Sequence, residues 1–329
     1  MLRFGMLSFR PVYVKFFGMR CRPRSRGWLP RANFAYLQGR LAPMLPPVST
    51  SPNEIEVSSW EELQHVLFRD TWDGRLGRFR SPFVYRGVRS RAYTLSTSLQ
   101  RLGGPYHELE NHLLRNFRKY AHDTAVPDHS SVWDWLAVAQ HHGLPTRLLD
   151  WTYSPYVALH FATDDLEAYD QDGVIWALNY VKAAEYMPQR LREALRAEGS
   201  NVFTPELLQP VCRNLRELGD MQPEQPFLLF LEPPSLDARI IHQYALFALM
   251  STPHANLDSW LEEHPELFYR IILPARLKWE TRDKLDQANI TERVLFPGLS
   301  GLSRWLHRHY SPTTGHGGQP LDSGRDPLG

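Results

Sequence analysis

The chain has 329 residues, with 37 Lys+Arg against 36 Asp+Glu and a formal net charge of +1. A hydrophobic fraction of 43% can supply a sizeable core, which excludes wholesale disorder. No stretch approaches the ~20 apolar residues of a membrane helix, so no membrane partner is expected. The two cysteines, Cys21 and Cys212, are too few for a disulfide framework or a Cys-rich zinc site. A reducing, cytoplasmic setting follows as the expectation.

Charge is unevenly placed. Residues 1–53 carry nine basic side chains (Arg3, Arg10, Lys15, Arg20, Arg22, Arg24, Arg26, Arg31 and Arg40) and no acid. Taking those nine from 37 leaves 28 basic against 36 acidic residues in 54–329, a net of −8. Such a body is a poor match for a polyanion, so nucleic acid is expected as a partner only through the leader. The leader admits three readings: an Arg-rich transit peptide, a basic arm, or an unstructured extension ahead of later starts at Met19 or Met44. The Pro/Ser-rich run Leu41–Pro52 separates it from a body spanning 54–310, and residues 311–329 read as a loose tail.

Along the body, Ser59-Trp-Glu-Glu62 is a capping box, followed by Leu63 and Leu67 at helical spacing. Phe83–Gly87 reads as a short buried strand ending at a glycine turn. Glu108–His122 has the apolar stripe of a helix. Val132–Gln140 is a second helix, stopped near Gly143 and Pro145, and Pro155 opens a third that runs to Ala162. Gly173–Asn179, Pro226–Glu232 and Phe268–Leu273 read as strands. Helices are expected over 182–199, 274–289 and 299–310. Strands and helices mix irregularly, without a dinucleotide-binding glycine fingerprint or a P-loop. The expectation is an α+β fold: one mixed domain with a small sheet flanked by helices, and not a regular Rossmann fold.

Chemistry concentrates in two segments. In Tyr85-Arg86-Gly87, an arginine at the end of a buried strand needs a partner, since an isolated buried charge is costly. Its planar fork suits a phosphate or carboxylate ligand, or an internal acid. Gly87 allows either a backbone turn or the close approach of a ligand. The second segment, Gln140–Ala162, packs His141, His142, Thr146, Arg147, Asp150, Trp151 and Thr152 into a short span. Adjacent histidines on a helix cannot face one metal, and no H-E-x-x-H spacing appears, so no metal is expected.

Together these segments resemble the FRG domain, a mainly bacterial family named for a Phe-Arg-Gly tripeptide, here Tyr85-Arg86-Gly87. The Ser98-Leu-Gln-Arg101 run, the Gln140–Ala162 motif, Arg239-Ile-Ile-His-Gln-Tyr-Ala-Leu-Phe247 and Ile290–Gly301 carry the resemblance across about 60–310. Tyr85 for Phe and Ala245 for a usual glycine are departures. The order Arg86, Asp150-Trp-Thr152, Gln243 is similar, more loosely, to that of ADP-ribosyltransferases. That similarity implies NAD as substrate, a small nucleotide or a protein acceptor as partner, and transfer or glycohydrolysis serving defence or toxicity.

On this reading Arg86, Asp150, Thr152 and Gln243 are the catalytic candidates. Tyr85, Arg86, Gly87, His142, Arg147 and Trp151 are the nucleotide contacts. Gln243 stands where a glutamate is usual; being neutral, it cannot act as a base, and Asp150, Glu108 or Glu110 would have to supply the charge. The competing reading assigns Trp151 and Phe161 to the core and Asp150 and Thr152 to helix capping, which leaves a non-catalytic nucleotide-binding or protein-interaction module.

Overall fold

The structure, a computed structural model, describes residues 53–121, 131–235 and 238–312. The leader and nearly all of the tail, with their three readings, lie outside the described residues. Every element below belongs to one compact unit.

Among the described residues nine strands form in chain order: β1 (Glu54–Glu56), β2 (Trp72–Asp73), β3 (Arg78–Phe79), β4 (Phe83–Val88), β5 (Leu149–Thr152), β6 (Gly173–Asn179), β7 (Leu228–Leu231), β8 (Ala245–Met250) and β9 (Phe268–Leu273). Seven of them make one open sheet in the order β1-β9-β6-β4-β5-β8-β7, with β1 parallel to β9 and the other pairs antiparallel. β2 and β3 stand apart as a hairpin. The α+β class holds, with a sheet wider than expected. β5 lies inside the polar motif, which hides its alternation, and β8 is a continuous apolar run that periodicity alone does not assign to strand.

Four helices frame the site: α1 (Trp60–Leu67), α2 (Tyr106–Tyr120), α3 (Val132–His141) and α4 (Pro155–Ala162). Ser59 caps α1 by accepting from the Glu62 N–H at 3.2 Å. The box is only half closed, because the Glu62 carboxylate reaches past Ser59 to the Ser58 N–H and hydroxyl. α3 carries a complete box between Ser131 and Asp134. The helix expected over 182–199 is broken. Pro188 stops the first piece and serves as the N-cap of a helix from Gln189 to Glu198, since proline has no N–H to continue the ladder.

The core has three parts. Val84, Val88, Trp151, Trp176 and Leu246 pack on one face of the sheet. On the other face, α1 and α4 cover Tyr85, Ile175, Ala177 and Ile271. A third cluster joins α3 to Leu229, Leu231, Phe247 and Leu249 of β7 and β8.

Gly87 explains how tightly α4 sits. The strand does not turn there but continues through Val88. A Cβ at Gly87 would lie 1.8 Å from the Ala158 carbonyl oxygen and 2.8 Å from the Ala162 nitrogen. The missing side chain therefore admits a helix backbone, not a turn. Gly87→Ala is expected to lower unfolding stability by about 3 kcal/mol, at the upper end of overpacking costs, because backbone cannot yield as a side chain can. Chemical denaturation checks this, and a variant as stable as the parent would contradict the packing described.

Candidate active site

The sheet splits between β4 and β5. β4 pairs with β6 at six consecutive positions from Phe83 to Val88, yet meets β5 only at Tyr85–Thr152. Beyond that point the strands diverge, and the Asp150 carbonyl loses a strand partner on the β4 side. Arg86 supplies one: its Nη1 donates to that carbonyl oxygen. The sequence left open whether Arg86 pairs an internal acid. Among the described residues its hydrogen-bond acceptor is a peptide carbonyl, and its Nε is shielded from solvent without a partner. Burial pulls the guanidinium pKa below its ordinary value; the charge of Asp150 partly restores it, and Arg101 opposes that.

The divergence opens a cleft of about 580 Å³. Alternation along β5 sends Trp151 to one face of the sheet and Asp150 and Thr152 to the other, yet all three border it. The cleft is therefore a gap between two central strands of the sheet, not a groove on one face. Arg86, Gly87, Asp150, Trp151, Thr152 and Gln243, which are remote in sequence, converge on it.

Their engagements differ. The Asp150 carboxylate is exposed and accepts from Gln140 Nε2 at 3.0 Å; Gln140 in turn accepts from the Thr146 hydroxyl at 2.6 Å. The Thr152 hydroxyl donates to the Gln243 carbonyl at 2.7 Å and accepts from the Ser154 N–H at 3.0 Å. The Gln243 amide donates to the Leu295 carbonyl at 3.0 Å. Trp151 is buried in the core cluster, and its indole N–H has no partner among the described residues. Tyr85 borders the cleft, but its ring belongs to the α1–α4 core and its hydroxyl donates to the Leu67 carbonyl at 3.2 Å.

Two expected nucleotide contacts fall elsewhere. Arg147, in the bend ahead of β5, is buried in a two-pronged pair with Glu110 of α2 and donates to the Ser251 carbonyl at 2.9 Å. His142 caps the C-terminus of α3, exposed beside Phe117 and His141. Neither lines the cleft. The same holds for Glu108 and Glu110, so Asp150 is the carboxylate from the expected set that remains there.

Several lining residues were not singled out as site candidates. Arg89, Arg101 and Arg239 give the cleft three further guanidinium groups, and Tyr93 and Phe161 give it aromatic walls. Arg101 and Arg239 lie within two motifs that carry the family resemblance, a signal available in the sequence. Arg89 pairs with Asp165 at 2.6 Å. Asp164, beside it, is a second carboxylate in the cleft, lifted by burial to about 6 while Arg89 opposes the shift.

Lys278 fixes this rim from behind. It is fully buried and donates to the Arg89 carbonyl at 2.7 Å and the Ala168 carbonyl at 2.6 Å; burial lowers its pKa to about 8. A buried network secures the wall behind Phe161. Arg308 binds Glu292 and Asp286, and Arg282 donates to His160 Nδ1 at 2.8 Å. Burial and the Arg282 charge hold His160 neutral, with its pKa near 3.

Residues 81–171 match the family model of the FRG domain. An FRG domain is present. The matched stretch runs from the start of β4 to just before β6 and contains Arg86, Asp150, Trp151, Thr152 and Asp164; Arg239 and Gln243 come from outside it. No curated protein and no solved structure matches the chain.

The cleft makes a pH prediction. With Asp164 ordinarily near 3.8 and lifted to about 6 here, the folded protein holds this proton more tightly than the unfolded chain between those values. Stability contributed by the neutral acid is thus lost as pH rises through that window. Asp164→Asn is expected to be more stable than the parent at pH 7 by about 1–3 kcal/mol, the gap closing below about pH 4. Denaturation at the two pH values checks the sign; an asparagine variant less stable at pH 7 would refute it.

Proposed function

We propose that the FRG-domain cleft binds a phosphate-bearing nucleotide, NAD in the reading the sequence resemblance implies, and transfers its ADP-ribose to an acceptor or to water. The observation that carries this is Arg86. One of its N–H groups is bound to a peptide carbonyl and none of its described bonds goes to a carboxylate, so its charge faces an open cleft that holds three more arginines. An arginine-rich cleft with aromatic walls suits a pyrophosphate flanked by rings.

In the proposed reaction the bond between the ribose C1′ and the nicotinamide nitrogen breaks, and nicotinamide leaves with the electron pair. The cation-like ribose then bonds to the acceptor oxygen or nitrogen, whose proton passes to a carboxylate. Arg86, Arg101 and Arg239 hold phosphate oxygens. Asp150, the carboxylate beside Arg86, stabilises the developing positive charge in a role that neutral Gln243 cannot fill. Asp164 is the proton acceptor. Thr152 and Gln243 shape the cleft through their mutual bond and need not touch the substrate. A role in defence or toxicity belongs to the same reading.

The second reading, a nucleotide-binding module without turnover, draws on that same bond. The Thr152 hydroxyl and the Gln243 amide are both engaged within the protein and not free for chemistry. Incubation of the protein with NAD separates the two. The transferase reading expects nicotinamide release that falls by at least about 100-fold in Arg86→Ala, the scale of losing a positioned charge-stabilising donor. Calorimetric binding of ADP-ribose without release supports the module, and neither release nor binding overturns both.

A further inference from the structure

The β2–β3 hairpin has no role in the cleft. Its register places Trp72 opposite Phe79 and Asp73 opposite Arg78. Trp72 and Phe79 therefore share one face, where their rings meet edge-on with centroids 5.0 Å apart, while Asp73 and Arg78 point to the other. At the turn, Leu76 precedes Gly77, whose φ of +60° is one that glycine adopts freely. The exposed fractions are large for apolar side chains: 57% for Trp72, 61% for Leu76 and 64% for Phe79. Every residue from 74 to 80 is exposed.

Charge in this segment is one-sided once its internal bonds are counted. The Asp73 carboxylate accepts from the N–H groups of Arg75 and Leu76, at 2.8 and 3.3 Å, and so holds the turn. Asp70 is paired with Arg69 at 3.1 Å. Arg78 and Arg80 are exposed and form no ion pair among the described residues, and Arg75 projects with only a 3.7 Å approach to Asp73. The ribbon thus has an aromatic face, an aliphatic tip and unneutralised guanidinium groups around them.

We infer that this hairpin docks the protein on an anionic lipid surface. In that pose Trp72, Leu76 and Phe79 enter the boundary between headgroups and acyl chains, and Arg75, Arg78 and Arg80 reach lipid phosphates. Tryptophan and phenylalanine suit that boundary, and long arginine stems let their charge stay at headgroup level while the ribbon sinks. A single-stranded nucleic acid fits less well. Leu76 at the tip has no ring on which a base can stack, and no line of cations leads onwards over the acidic body. This is attachment to a surface, since among the described residues no helix is long and apolar enough to cross a membrane. It departs from the sequence expectation of no membrane partner, which rested on the lack of a spanning segment.

The test uses the full chain, so that the basic leader is common to every variant. Co-sedimentation is measured with vesicles of phosphatidylcholine alone and of phosphatidylcholine with about one-third phosphatidylglycerol, a mixture that gives a negative surface potential. The parent should bind the anionic vesicles. The combined Trp72→Ser, Leu76→Ser, Phe79→Ser variant should bind at least about tenfold more weakly, since binding scales with buried apolar area. Arg75→Gln, Arg78→Gln, Arg80→Gln together should weaken binding to anionic vesicles by about tenfold or more and make it less sensitive to salt. All these positions are exposed, and an unchanged melting curve verifies the fold. Equal binding by the parent and the serine variant overturns the proposal, because the leader then carries the attachment. So does a parent that ignores vesicles while its hairpin drives self-association or RNA binding.

Discussion

The architecture of the site depends on one hydrogen bond across a divergence in the sheet. β4 and β5 share a single paired position, and the guanidinium of Arg86 then takes the place of the next stretch of ladder by donating to the Asp150 carbonyl. A shorter side chain could not reach across the widening gap, and a peptide carbonyl that has lost its ladder partner gains a donor from the guanidinium. The same contact that lets the strands part also leaves a positive charge at the opening. The path of the strands and the charge lining the cleft are thus tied to one residue.

The surroundings keep that geometry rigid. α4 presses its backbone against β4 at Gly87, which fixes the strand on one side. Lys278 donates to the carbonyls of Arg89 and Ala168, which ties the chain leaving β4 to the turn that follows α4. Thr152, Gln243 and Leu295 form a chain of hydrogen bonds that closes the far wall. Buried polar groups satisfied in this way favour a single arrangement, and a preorganised cleft loses less on binding a ligand than a mobile one.

The helices were legible because their signals are local. Pro155, the stop near Gly143 and Pro145, and the stripe along α2 act within a few residues, and Tyr106–Tyr120, Val132–His141 and Pro155–Ala162 form close to where the spacing puts them. β5 and β8 were missed because a strand so placed needs neighbours to declare it. Leu149–Thr152 carries polar and apolar residues in a pattern that a motif explains equally well. Arg147 and His142 show the same limit. Their residue types suit a phosphate, but the bend that carries Arg147 and the helix end that carries His142 set where each side chain packs, and neither lines the cleft.

By itself the sequence determined that residues 1–53 are basic and free of acids, that the pattern of elements after them is α+β, and that Arg86 and the Asp150-Trp-Thr152 run fit a family pattern, now matched over 81–171. Those are properties of composition and order, which survive without coordinates. Only the tertiary structure decided that β4 and β5 part after one shared pair, that Gly87 serves a helix and not a turn, and that Arg89, Arg101, Asp164 and Arg239 join the cleft. Each of these depends on contacts between segments far apart in the chain, and such contacts arise from packing, which no local pattern encodes.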